Sequence, residues 1–458
     1  MSTETTLRDA LAAEAGALGV PDSPWPRFAK RERAHRRNRR IRIAAVAALI
    51  MAIGGVQSGL VPVPGWAPGI AVAGRETALA KSPLRGSLAR DAQWLAGMRA
   101  AIKDVADPGE LWQVASRDKI RFLYAGDVAG RRLALALVPL RFGFLADETL
   151  LWYEGAPGAA PSEMRESTRT DGGDTVAVYR DGRTDSPGTL VVVAPAGSTV
   201  AVSIGFRYTA AGRVEHAEPH RGAPGSGLAE ITLPAAPFDP GTTVTVTGRD
   251  GRSVYDGPAY GAWSGHSTGD PREPSEESLT AALGEHTLDR LTLRRWVENA
   301  LHDARLPAEG TTAKVRWTGT VNGQTAALIT VQPQGGGVLA YATHGGADSY
   351  RQDLRLLLPA AGVDERPIAW RMRAEGRDDR TDQVVIVAPP GTARLSVGGE
   401  AAVPDASGAA FASLPSSATA SVTAYAADGS VIGTTPVPPF ETDSGGIPGD
   451  DLKTRIVE

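Results

Sequence analysis

"YRDGRTDSPGTLVVVAPAG" (Tyr179–Gly197) lines up without a gap on "RAEGRDDRTDQVVIVAPPG" (Arg373–Gly391), sharing Gly, Arg, Asp, two Val, Ala, Pro and the closing Gly. Self-similarity at this distance is the mark of an internal repeat, and other landmarks keep the same order. "YAGDVAG" at 124–130 matches "WTGTVNG" at 317–323, "ITLP" at 231–234 matches "ASLP" at 412–415, and "RDGRSV" matches "ADGSV". The spacing therefore predicts a tandem duplication.

Each copy is expected to open with a helix. "SLARDAQWLAGMRAAIKDVA" places Leu88, Ala92, Leu95, Met98, Ala101 and Ile102 on one face. "TLDRLTLRRWVENALHDA" does the same with Leu288, Leu291, Val297, Ala300 and Leu301, with Trp296 at the flank. Short β-branched runs follow, among them "TLVVVAP", "TTVTVTG" and "VVIVAPP", punctuated by hairpin dipeptides such as Asn322-Gly323, Asp250-Gly251 and Asp428-Gly429. Turn signals about ten residues apart favour antiparallel sandwiches or barrels over parallel sheets. The expected fold class is mainly β (α+β): one transmembrane helix, then two tandem repeats, each a helix with an antiparallel sheet and an immunoglobulin-like sandwich.

Charge places the chain in the cell. The 458 residues are 42% hydrophobic and 22% charged, a globular balance, and the net charge is −4. Between Arg27 and Arg42, nine basic residues stand against the single acid Glu32. No charge then occurs from Ile43 to Gly74. As a helix, Ile41–Val61 would measure about 31 Å, matching a bilayer core of about 30 Å. Pro62 and Pro64 supply its stop. Positive residues beside a span stay on the cytoplasmic side, so Arg36, Arg37, Arg39, Arg40 and Arg42 set the topology, with the N-terminus inside. The run lacks aromatic interleaving, so no nucleic-acid partner is expected. A cleaved signal peptide is the competing reading, since Ala71 and Ala73 form an Ala-x-Ala pattern.

The expected organisation is a cytoplasmic basic tail with a short amphipathic helix at 1–40, a transmembrane helix at 41–61 and an extracytoplasmic linker at 62–86. β-rich repeats at 87–263 and 278–440 follow, joined by a linker at 264–277, and an acidic flexible tail runs over 441–458. In the cytoplasmic tail, Leu7, Leu11, Ala15 and Leu18 recur at helical spacing. Glu4, Asp9 and Glu14 would be repelled by anionic lipid, so this stripe is a candidate contact for a cytoplasmic protein.

Most motifs that carry chemistry are absent from the sequence. Without cysteine the chain has no disulfide, thiolate metal site or cysteine nucleophile. There is no Walker loop, dinucleotide fingerprint or His-Glu-x-x-His. "GHSTG" at 265–269 has the Gly-x-Ser-x-Gly pattern of a nucleophile elbow, but Pro271 and Pro274 oppose the helix that must follow the serine, so Ser267 reads as a linker residue. "HAEPH" sets His216, Glu218 and His220 at alternate positions, as on one face of a metal-binding strand. Pro219 interrupts it, and 212–227 reads as a loop with solvated polar groups. Trp152, Tyr153, Tyr260 and Trp263 are candidates for a ligand surface, with core packing the plainer reading. No cofactor, metal or enzymatic activity is expected.

"LRDALAAEAGALG", "WPRFAKRERAHRRNRR", the apolar span and "SPLRGSLARDAQWL" together resemble a loose group of actinobacterial single-pass membrane proteins associated with extracytoplasmic-function sigma factors. The resemblance covers the first hundred residues. It implies a sensory or regulatory envelope protein with a cytoplasmic partner such as a sigma factor and an envelope ligand. The His-x-x-x-Cys-x-x-Cys signature of zinc-type anti-sigma factors is missing. The alternative from another class is an envelope scaffold or adhesion module whose tail only anchors.

Overall fold

In the computed structural model of the chain, residues 70–71, 77–107, 110–142, 145–265, 270–374, 379–441 and 446–456 are described. The fold is mainly β, with many antiparallel sheets and three α-helices among the described residues. None of these helices is long and apolar enough to cross a membrane. The expected span at 41–61, the topology arginines Arg36, Arg37, Arg39, Arg40 and Arg42, and the stripe Leu7, Leu11, Ala15 and Leu18 lie outside the described residues, as does Ser267.

Two compact units are present. The smaller includes Lys103–Arg117 and Pro139–Asp147. Within it Val105–Asp107 pairs antiparallel with Glu110–Val114, which pairs in turn through Gln113 and Val114 with Arg141 and Leu140. The rings of Trp112 and Phe142 lie 5.8 Å apart.

The larger unit, Arg75–Ile102, Asp118–Val138 and Glu148–Glu458, holds most of the first expected repeat and all of the second. Its first half opens with α1 (Ala92–Ala101), capped by Asp91 accepting from Trp94 N–H. Four strands follow, β1 (Arg121–Val128), β2 (Arg131–Phe142), β3 (Leu145–Gly155) and β4 (Arg165–Asp171), each paired with the next. "LALALV" in β2 is buried at every position. Alternate side chains point to opposite faces, so Leu133, Leu135 and Leu137 enter one core while Ala134, Ala136 and Val138 are buried on the other face.

Next come β5 (Ala177–Arg183), β6 (Gly188–Val193), β7 (Thr199–Ser203), β8 (Phe206–Thr209), β9 (Arg213–His216), β10 (His220–Arg221), β11 (Leu228–Leu233), β12 (Thr243–Thr247), β13 (Ser253–Pro258) and β14 (Ala262–Ser264). Sheet β11-β6-β5-β14 faces sheet β10-β7-β12-β13 across a core that includes Val192, Val200, Val202, Val244 and Val246. This is a β-sandwich. The opposite face of β5 and β6 packs Tyr179, Val191 and Val193 against Leu123, Leu135 and Trp152.

The second half contains α2 (Glu276–Leu283), α3 (Arg290–Ala304) and the sheet β15 (Thr311–Val321), β16 (Gln324–Pro333), β17 (Val338–Gly345) and β18 (Tyr350–Leu358). It continues as β19 (Ile368–Arg373), β20 (Arg380–Val387), β21 (Arg394–Val397), β22 (Glu400–Ala402), β23 (Ala409–Ser413), β24 (Ser421–Tyr425) and β25 (Val431–Pro436). Sheets β19-β20-β23 and β22-β21-β24-β25 share a core through Ile386, Leu395, Val422 and Ala424. β1 to β4 pair consecutively, as do β15 to β18, and the central pairings β5-β6-β11 and β7-β12-β13 run in the same order as β19-β20-β23 and β21-β24-β25.

Register refines the ungapped alignment. Tyr179 faces Val191 and Trp370 faces Val385, whereas the alignment sets Tyr179 against Arg373. Before the hairpin the match therefore slips by three residues, because ten positions separate the paired Arg180 and Leu190 but thirteen separate Arg371 and Val384.

Several expectations are corrected by packing. In α3 the buried stripe is Leu293, Trp296, Val297, Ala300, Leu301 and Ala304, so Trp296 is central and Leu291 is 52% exposed. Residues 77–86, expected within a linker, are packed, with Leu79 and Ala80 in the core and Arg85 bound to three carbonyls. The linker assigned to 264–277 is shortened by α2, which starts at Glu276. The segment 212–227 is not a loop throughout, since it contains β9 and β10. The C-terminal tail is packed at 446–456, where Ile447 and Ile456 enter two cores and Ile456 N–H donates to Leu357 O at 3.0 Å.

Candidate functional site

The β8–β9 hairpin of the first half reaches into the second. Alternation along "FRYT" turns Phe206 and Tyr208 to one side, 5.1 Å apart and edge to face. Tyr208 is buried among Leu279, Trp296, Val297 and Leu357, and its hydroxyl donates to Ala304 O at 3.1 Å. Beside it, Asp239 joins the halves as an ion bridge, 2.5 Å from Arg180 on β5 and 2.5 Å from Arg305 at the end of α3. Burial works against the Asp239 charge, and the two guanidinium groups outweigh it, so its pKa lies below the ordinary carboxylate value.

A cleft of about 980 Å³ opens where these elements meet. One wall is the outer face of β7 and β12, where Val-Thr alternation sends the valines into the sandwich core and leaves Thr199, Thr243, Thr245 and Thr247 on the cleft. The other is the C-terminal segment with Ile447, Asp450 and Thr454. His216 spans the two: Nε2 lies 2.9 Å from Asp450 Oδ1 and Nδ1 lies 3.3 Å from Thr243 Oγ1. The Asp450 hydrogen bond, with the charges of Asp450 and Asp256, raises the His216 pKa against the effect of burial. His216 thus ties Thr243 on β12 to Asp450 of the C-terminal segment, and the three residues form a clamp across the cleft.

The floor is a buried charge network. Arg355 donates Nη1–H to Asp303 Oδ1 at 2.5 Å, Nε–H to Glu441 Oε1 at 2.8 Å and Nη2–H to Gly446 O at 2.7 Å. Tyr341 hydroxyl donates to Asp303 Oδ2 at 3.0 Å. Burial pushes the pKa values of Asp303 and Glu441 up despite the pull of Arg355. Desolvation opposes the Arg355 charge as well, but Asp303 and Glu441 hold its pKa above the ordinary value.

The residues singled out from the sequence do not converge. His216 is on β9, Glu218 is exposed in the following loop and His220 pairs on β10; among the described residues no group of acidic and histidine side chains is placed to hold a metal. Trp152 and Tyr153 are buried. Trp263 is partly buried under Arg180, with the guanidinium 5.1 Å from the ring. Tyr260 alone of the four is largely exposed, and it lies on the cleft. Arg355, Asp303, Asp239 and Asp450 carry no motif that marks them in the sequence. The one visible signal was Arg355 itself, an arginine set between leucines in "LRLLLP".

No protein-family model matches the chain, and no match is found among curated proteins. Among solved structures, the WD40 domain of SCAP from fission yeast is similar at 7% identity over 73% of this chain and 67% of that one, with a TM-score of 0.10. So slight a likeness assigns neither fold nor function.

Proposed function

We propose that the chain is a single-pass, membrane-anchored envelope protein whose β-rich part, two copies of one helix, sheet and immunoglobulin-like sandwich design, binds a ligand or partner outside the cytoplasm. The observation that carries the binding role is the cleft walled by β7 and β12 of the first half and by the C-terminal segment of the second, because a ligand there touches both halves at once. Its polar lining suits a hydrogen-bonding ligand, and each charged group of its floor already has a partner, which favours binding over catalysis. The arginine run ahead of the apolar 41–61 stretch supports anchoring with the tail inside. The resemblance of the first hundred residues supports a sensory or regulatory role, with Leu7, Leu11, Ala15 and Leu18 contacting a cytoplasmic protein such as a sigma factor.

A reporter fused after Glu458 should be active only outside the cytoplasm, with full-length protein in the membrane fraction. A soluble product beginning near Gly74 would overturn the anchor. A pull-down with residues 1–42 should recover a protein that Leu11→Asp releases. Recovery of none would favour the second reading, a non-signalling scaffold, which the insertion of Tyr208 into the neighbouring core also supports by tying the halves together.

A further inference from the structure

The two sandwiches carry different chemistry on the same outer face. Thr245 pairs with Ala201 and Asp256 in the first half, as Thr423 pairs with Ser396 and Thr434 in the second. Two residues further along, Thr199 and Thr247 face each other where the second half has Arg394 and Tyr425. All of these point away from the cores, which are filled by the intervening Val200, Val246, Leu395 and Ala424. The second half closes this face on itself. The Arg394 guanidinium lies 4.1 Å from the Tyr425 ring centre, and the hydroxyls of Thr423 and Thr434 bond each other at 3.1 Å.

The first half leaves the face open toward the 980 Å³ cleft. Thr245 hydroxyl donates to Asp256 Oδ1 at 3.2 Å. Among the described residues, however, the hydroxyls of Thr199, Ser203 and Thr247 make no hydrogen bond and the Arg221 guanidinium makes no ion pair. Neighbouring positions lie about 4.8 Å apart across the sheet and about 6.8 Å apart along a strand, so these groups form a polar grid. Ala201, paired with Thr245 on one side and Arg221 on the other, presents only a methyl group at its centre. Tyr260 adds a ring that is 66% exposed. Backbone bonds fix its place, since Tyr255 hydroxyl donates to Pro258 O at 2.7 Å and Ala259 N–H donates to Thr242 O at 2.9 Å.

This lining selects a class of ligand. Five carboxylates, Glu218, Asp256, Glu441, Asp450 and Asp451, stand against the two guanidinium groups of Arg221 and Arg355. Arg355 is spent on Asp303, Glu441 and Gly446 O, so an anion would be repelled. An apolar ligand would bury the open hydroxyls without partners. A saccharide is uncharged, its hydroxyls donate and accept as those of threonine do, and its C–H faces pack on an aromatic ring. The cleft volume falls at the upper end of the about 300–1,000 Å³ that holds small ligands, which leaves room for an oligosaccharide.

We propose that the cleft binds a neutral saccharide, which lies on the hydroxyl face of β7 and β12 and stacks a sugar ring on Tyr260. The proposal rests on reading the cleft as the ligand site and adds the class of ligand it takes.

The test titrates labelled neutral oligosaccharides of glucose, mannose, galactose, arabinose and N-acetylglucosamine against the full chain by fluorescence anisotropy, in a detergent without a sugar headgroup. Saturable binding of at least one series is expected, with an affinity that added salt leaves unchanged because the ligand is uncharged. Tyr260→Ala should weaken it at least about tenfold, and so should Thr199→Val with Thr247→Val, both with an unchanged circular dichroism spectrum. Phe411→Ala, at an exposed ring outside the cleft, should leave binding as it is. No saccharide binding, or binding that survives the Tyr260 and threonine variants, overturns the proposal. Spermine, a polycation, is titrated alongside. Spermine binding that Asp256→Asn and Tyr260→Ala weaken, with no saccharide bound, keeps the cleft as a ligand site and overturns the saccharide. Binding of neither overturns the saccharide and removes the support for the cleft as a ligand site.

Discussion

Arg180 and Arg371 occupy one place in the strand pairings, opposite Leu190 and Val384, and both are buried beside an aromatic ring. Arg180 lies 5.1 Å from the Trp263 ring and Arg371 lies 5.8 Å from that of Phe440. Their partners differ. Arg371 donates to the carbonyls of Leu414 and Pro415 at 3.1 Å and of Ala418 at 2.5 Å, all within its own half, and burial lowers its pKa. Arg180 donates to Ala259 O at 2.5 Å and pairs with Asp239, which also holds Arg305 of the other half. Backbone dipoles suffice where a cation only staples a local turn. A carboxylate appears where two cations from different halves converge, since without it like charges would meet in a desolvated site.

The sharpest way to break this comparison is to remove the shared acid. Asp239→Ala leaves Arg180 and Arg305 facing each other without a counter-charge and is expected to cost about 3–5 kcal/mol, read as a fall in the urea midpoint. Arg371→Met removes three carbonyl contacts but also a buried charge, so about 1–3 kcal/mol is expected. If the second variant is the more damaging, the carboxylate is not what distinguishes the two sites. Tyr208→Phe tests the other tie between the halves. It deletes one hydroxyl bond to Ala304 O and keeps the ring in its pocket, so the expected loss is about 1 kcal/mol in the same assay. A larger loss would mean that the hydroxyl, not the ring, sets the docking of the hairpin.

The legible part of this molecule was local. β-branched runs between turn dipeptides mark β6, β12 and β20 because strand propensity and hairpin chemistry act over a few residues. The 3.6-residue apolar spacing that marks α1 and α3 is local for the same reason. What could not be read is where side chains meet across long separations. His216 and Asp450, Arg355 and Glu441, and Asp239 and Arg305 are pairs that only the folded chain brings together. The alignment slip has a similar origin, since matching Gly-Arg residues in two hairpins hid a difference of three residues that the strand register exposes. Leu291 misled because apolar spacing fixes a period but not which neighbour lies on either side of the stripe.

The smallest expected effect belongs to the clamp between halves, and it has a direction in pH. His216 has a raised pKa, caused first by its hydrogen bond to Asp450 and then by the charges of Asp450 and Asp256. A basic group whose pKa is raised on folding contributes its full stabilisation below the unfolded value, about 6.5, and loses it as pH rises through the folded value. The hydrogen bonds themselves need not be lost, because a neutral ring can donate from Nε2 to Asp450 and accept from Thr243 at Nδ1. Only the Coulombic part fades, and for a partly exposed pair it should stay under about 1 kcal/mol. Wild type should therefore exceed His216→Gln in stability by the most near pH 5.5, and the gap should narrow above pH 6.5. A gap that widens with pH would mean that the neutral ring is the bound form, making the site a hydrogen-bond relay open to Thr243 chemistry instead of a charged clamp.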